Sequence, residues 1–318
     1  MSNGSDRLAR ILLKARPTPT QLADRFRSPW PDGLELYLDR ADIVTEDECH
    51  AVVERVRAYD LPEDFAFVVE GPIRSLDNEY VDISACTPAT KELVARLGWM
   101  ARELGADGVV THCIIPRFSL SDDDWKRRPE IFATCREFVR YYVDTLGTMG
   151  LVPIIENVPP VLRMRENRYL YTPLGMAPED LVWFLDQAPG LMFTLDVSHA
   201  QLYVNARNMA DQGDTDPEVE PLMRYLRHFP QIATVDGFVD AFGDAIFEAH
   251  VSNASGLLGE GARYGDGDID MDHVIGRLAR TARYLVTETL EPNNDKAVYM
   301  REAQSGMASV LSRLSSGH

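Results

Sequence analysis

The stretch Leu191–Leu202, LMFTLDVSHAQL, decides how the chain is read. Residues Leu191 to Leu195 are all apolar or β-branched, which suits a strand buried on both faces of a parallel sheet. The run ends in Asp196, with His199 three residues on, and predicts a strand that stops at Asp196 and passes into a loop. A carboxylate at the end of a buried strand is costly unless something compensates it. A bound cation would do so, with His199 as second ligand or hydrogen-bond partner. The plainer alternative is that Asp196 caps the next helix and His199 is an ordinary satisfied polar residue.

On either side of this stretch, short apolar runs alternate with amphipathic ones. Strands are expected at Ile11–Ala15, Gly33–Leu38, Phe65–Val69, Gly108–Ile115, Val152–Ile155, Ile246–Val251 and Tyr284–Thr287, besides the opening one. Between them the spacing predicts helices. One runs from Thr45 to Ala58, with Thr45 and Glu48 as a capping box. Others cover Pro88–Leu104, Glu130–Leu146, Pro178–Gln187, Asp272–Ala282 and Asn294–Leu314, with a shorter one ending at Arg27. Eight strand–helix units in 318 residues, with no break in composition, point to a single (β/α)8 TIM barrel spanning 1–318. Residues 1–8 read as a loose polar start. Long loops follow the fifth and sixth strands, and 205–235 reads as an insertion over the C-terminal rim. An open doubly wound sheet is the alternative, but no G-x-G-x-x-G follows an early strand.

Composition narrows the function. A formal net charge of −18 without a Lys/Arg cluster argues against a nucleic-acid partner. No apolar run reaches the roughly 18 residues of a membrane span. Cys49, Cys86, Cys113 and Cys135 are scattered and form no C-x-x-C, as reduced thiols of a cytoplasmic protein would. No apolar leader opens the chain.

Four successive strands end in metal-ligand types: Glu156, Asp196, His250 and Glu288. In a barrel these ends converge on one rim, where catalytic sites sit. Three carboxylates around one imidazole would repel one another without a cation. The oxygen-rich set favours one divalent ion, Mn²⁺ first, with Mg²⁺, Co²⁺ or Zn²⁺ as alternatives.

The motifs IIENVP (154–159), LDVSHA (195–200), HVSNA (250–254), YGDGDID (264–270) and TETLE (287–291) stand in this order along the chain. With them the chain resembles the xylose isomerase-like TIM-barrel superfamily, which includes sugar isomerases, epimerases and endonuclease IV-type enzymes. The resemblance implies that Glu156, Asp196, His250 and Glu288 ligate a single divalent metal. It also implies that His199 contacts substrate beside the metal and that 265–267 shapes a loop closing the site. The trinuclear endonuclease pattern is not met: the third strand ends in Glu70 rather than His, and GEGARY before Gly265 lacks the Asp-x-His. Asn253 stands where many relatives carry Asp.

The expected activity is isomerisation or epimerisation of a sugar-like hydroxy-carbonyl compound, with Glu156, Glu288 and His199 catalytic. A metal-dependent dehydratase or lyase on an inosose-like keto-polyol is the alternative, and a phosphodiesterase stands behind both. His112, Glu70, Asn253, Arg263 and Trp125 are further substrate-binding candidates, with Arg163 and Arg165 as anion contacts. His50, His228 and His273 read as surface or packing residues. The expected partner is a small molecule, in a homodimer or homotetramer, with no nucleic acid or membrane.

Overall fold

A computed structural model describes residues 8–164, 168–213 and 217–317. The loose start at 1–7, Arg165, the side chain of Arg163 and part of the acidic run near Gly213 lie outside these residues. Eight parallel strands close into a barrel. They are β1 (Arg10–Ala15), β2 (Gly33–Tyr37), β3 (Ala66–Glu70), β4 (Gly108–His112), β5 (Val152–Glu156), β6 (Met192–Asp196), β7 (Ile246–Val251) and β8 (Tyr284–Thr287). Each pairs with the next, and β8 pairs back to β1. This is the expected (β/α)8 barrel.

Strand alternation divides the residues between two cores. Leu34, Leu36, Val69, Val109, Ile155, Phe193, Leu195 and Leu285 join the large apolar cluster shared with the surrounding helices. Leu12, Val68, Val110, Ile154 and Val286 form a separate apolar layer. Two residues along the same faces come Lys14, Glu70, His112, Glu156 and Glu288. The barrel interior is therefore apolar below and ionisable above, toward the strand C-termini. Register aligns this upper layer: His112 pairs with Glu156, Tyr37 with Glu70, and Asp196 with His250.

Several helices match expectation closely. Thr45 and Glu48 form the capping box of Glu46–Arg57, and Pro88–Leu104 and Pro178–Gln187 fall where periodicity put them. Three segments differ. β4 ends at His112 rather than Ile115, because Ile115 N–H turns aside to Thr172 Oγ1 at 3.1 Å and Gly175 packs against Cys113. No loop follows Asp196: a helix, Val197–Gln212, begins at once, and Asp196 Oδ1 caps it by accepting from His199 N–H at 2.6 Å. The 205–235 segment is largely helical, completing that helix and adding Glu220–Leu226.

Two hairpins also escaped the periodicity, Leu162–Met164 with Arg168–Leu170 and Asn253–Ser255 with Gly259–Ala262. Cys49, Cys86, Cys113 and Cys135 are free thiols. Among the described residues, no helix is long and apolar enough to cross a membrane.

Candidate active site

The upper layer of the barrel gathers donor atoms of Glu156, Asp196, His250 and Glu288 within 4.8 Å of one another. His250 Nδ1 lies 2.6 Å from Glu288 Oε2, 3.5 Å from Glu156 Oε1 and 3.9 Å from Asp196 Oδ2. Glu156, Asp196 and His250 are buried, while the Glu288 side chain keeps 30% exposure and so opens the site on one side. The structure shows Asp196 as the helix cap that one of its two sequence readings offered. Its Oδ1 caps the helix and its Oδ2 faces His250.

Asn157 fixes this geometry, although sequence reading assigned it no role. Its amide accepts from Asp196 N–H at 2.8 Å and donates to Asp196 O at 3.0 Å, locking the end of β5 to that of β6. Its own carbonyl lies 2.9 Å from His199 Nδ1. A carbonyl only accepts, so Nδ1 carries a proton, and Nε2 is the ring nitrogen left for another partner. Nε2 points toward Glu260 on the second hairpin, 4.0 Å away.

Lys14, Glu35 and Glu248 also belong to this layer and were missed, since they stand inside strands rather than at their ends. Lys14 Nζ contacts Glu70 and Glu288 and lies 3.3 Å from Glu35 Oε1. His250 Nε2 is 2.9 Å from Glu35 Oε2, and Glu248 accepts from Thr194 Oγ1 at 3.0 Å. His112 Nε2 bridges Glu70 at 3.2 Å and Glu156 at 3.5 Å. The signal was legible: a charged residue inside RILLKA, GLELY or IFEAHV has no reason to stand in a buried strand unless it is paired.

The electrostatics are those of a crowded acidic chamber. Burial would raise the Glu35 carboxyl, but His250 and Lys14 overcome it and hold it at about 2. Glu288 is likewise drawn well below the usual range by Lys14 and His250, against its burial. Asp196 goes the other way: burial, then Glu288 and Glu156, push it up to about 7. Glu248 reaches about 8 through burial and Glu35. His199 rises to about 9 because Asp196 and Glu260 outweigh its burial.

This donor set fits a divalent cation. His250 Nδ1 and Glu288 Oε2 are buried atoms, close together, with no hydrogen bond between them or to any other group. Burial and the neighbouring carboxylates of Glu288 and Glu156 push Asp196 up to about 7, so added positive charge at this point would favour its ionised form. An ion among four convergent N and O donors would supply that charge and displace the proton.

Three further candidates are engaged elsewhere. Asn253, a substrate-binding candidate, has its amide engaged on backbone, where it clamps a loop. It donates to the carbonyls of Tyr264 and Ile269 and accepts from the N–H groups of Ala254 and Ile269. Gly267 makes room for it, since a Cβ there would lie 2.2 Å from Asn253 Oδ1. Gly267→Ala is therefore expected to cost about 1–3 kcal/mol, read as a lower urea midpoint. Arg263 pairs with Glu302 at 2.8 Å and stacks on Tyr299. Trp125 stacks on His228 and packs against Tyr225 and Phe229, joining the helix Asp122–Lys126 to Glu220–Leu226. His50 packs on Trp99, and His273 pairs with Asp236.

No family model matches the chain, and no curated protein matches it. Solved structures do. A D-tagatose 3-epimerase-like protein is 16% identical, with 96% of this chain and 98% of that one aligned and a TM-score of 0.63. D-allulose 3-epimerase from Methylomonas sp. is 13% identical over 96% and 98%, with a TM-score of 0.58. Endonuclease IV from Thermus thermophilus is 15% identical over 94% and 99%, with a TM-score of 0.52. At such identities the likeness is one of fold: the chain shares the (β/α)8 barrel of these solved structures.

Proposed function

We propose that this chain is a divalent-metal-dependent epimerase or isomerase of a sugar-like hydroxy-carbonyl compound. The observation that supports it most is the convergence of Glu156, Asp196, His250 and Glu288 on one point, with Glu288 left partly open beside a cavity. That cavity, about 200 Å³, is bounded by Lys14, Tyr37, Glu288 and Thr289.

A divalent ion at this point would act as a Lewis acid on a substrate carbonyl and so acidify the adjacent C–H. Glu156 and Glu288 come from β5 and from the end of β8 and reach the ion position from different strands. One would take the proton alpha to the carbonyl and keep it, and the other, protonated at the start of that turnover, would donate its own proton to the opposite face. Lys14 holds Glu288 Oε1 and so orients the carboxylate. His199, its Nδ1–H fixed by the Asn157 carbonyl, offers Nε2 to a substrate hydroxyl. The sugar epimerases that share the fold favour this chemistry over phosphodiester hydrolysis.

The test is proton exchange. The Mn²⁺-loaded protein is incubated in D₂O with ketohexoses, keto-acids and inososes, and substrate is followed by NMR. Deuterium at one carbon next to the carbonyl, lost on chelation, is the expected result. Loss of water from the substrate would instead assign a dehydratase. No exchange in any compound, together with nicking of abasic DNA, would overturn the proposal.

A further inference from the structure

We propose that Lys14 is a built-in cation that takes the place of a second divalent ion and so limits the active site to one. The proposal rests on the metal site of the preceding reading and adds a determinant of its stoichiometry.

Lys14 leaves β1 on the inward face, directly above Leu12. Its ammonium sits among carboxylates from three other places on the barrel. These are Glu35 on β2 at 3.3 Å, Glu70 on β3 in close contact, and Glu288 past β8. The lysine side chain is only 9% exposed and those of Glu35 and Glu70 are 0% and 2% exposed, so solvent screens this charge poorly. Three carboxylates in such a place need a cation, and the chain supplies one covalently.

The same carboxylates would otherwise serve a metal. Glu35, Glu70 and His250 form a second set of donors within 4.8 Å of one another, beside the first. The two sets share His250, whose Nδ1 faces Glu156 and Glu288 and whose Nε2 faces Glu35 at 2.9 Å. A neutral imidazole has one lone pair. With Nδ1 turned to the first ion, Nε2 carries the proton and donates it to Glu35. A second ion in this set would have to sit on the glutamate oxygens alone, in the volume that the Lys14 ammonium fills, and the remaining donor set, Glu70, His112 and Glu156, shares Glu70 with Lys14 and Glu156 with the first ion. Coulomb repulsion from Lys14 and simple exclusion both oppose it.

Removing the amine should therefore open that volume. Wild type, Lys14→Ala and Lys14→Arg are dialysed against excess Mn²⁺ and then metal-free buffer, and ions per chain are measured by elemental analysis. The expected contents are about one, about two and about one. Lys14→Ala leaves three buried carboxylates without a cation and can fail to fold in the absence of metal, so it is also refolded with Mn²⁺ in excess. Recovery of the native circular dichroism with two ions bound is the expected outcome. A folded Lys14→Ala with one ion overturns the inference, as does wild type with two, or a variant that stays unfolded at saturating Mn²⁺. A lysine that merely braced the fold would give none of the gain in metal. Wild type with no ion overturns the metal site itself, and that result is distinct from failure of the Lys14 role alone.

Discussion

Glu288→Gln is expected to lower turnover by roughly 10²–10⁴-fold while leaving the far-UV circular dichroism unchanged. The substitution keeps the size of the side chain and one oxygen. It removes the negative charge and the capacity to take a proton. Glu288 follows β8, its backbone N–H bonded to Val251 O at 3.1 Å, so its position is set by the sheet and not by its own ionisation. Lys14 retains Glu35 and Glu70 as partners in the variant, which is why the fold should survive. Steady-state kinetics on the substrate found by proton exchange would measure the effect. Full turnover in the variant would remove Glu288 from the chemistry.

Divalent ions are expected to stabilise the wild-type protein strongly. The carboxylates of Glu156, Asp196 and Glu288 face one another around His250, and burial of the first two keeps water from screening them. Binding to the folded state alone at 100 times Kd adds about 2.7 kcal/mol. For a chain of this length that corresponds to a rise in Tm of roughly 4 °C. Differential scanning calorimetry with EDTA and then with Mn²⁺ would read it. Asp196→Asn should lose most of the rise, because it withdraws one ligand while Asn can still cap the following helix. Equal melting of the wild type with and without the ion would contradict the metal site.

Much of the barrel was legible because parallel strands buried on both faces leave apolar runs, as at 66–69 and in Tyr284–Thr287. Helix starts were legible where chemistry marks them, as at Thr45 and Glu48. Residues at strand ends were brought together because β-register aligns them, His112 with Glu156 and Asp196 with His250. Other features depend on neighbours distant in sequence. Lys14 meets Glu288 across 274 residues, and His250 meets Glu35 across 215, so neither pairing leaves a local trace. Asn253 carries no sign of the loop it clamps until 264–269 folds over it. Trp125 stands in a polar stretch of sequence and reads as a substrate-binding candidate, yet helix 220–226 supplies the aromatic corner that receives it. The short hairpins lack the length for period-2 alternation to declare itself.

The metal content of the purified protein, with and without Asp196→Asn, tests the central claim most directly. Elemental analysis after loading with Mn²⁺ and removal of free ion should give about one divalent ion per wild-type chain and far less in the variant. No bound ion in the wild type would mean that Glu156, Asp196, His250 and Glu288 are held together by protons and Lys14 alone, and the proposed chemistry would fall with the metal.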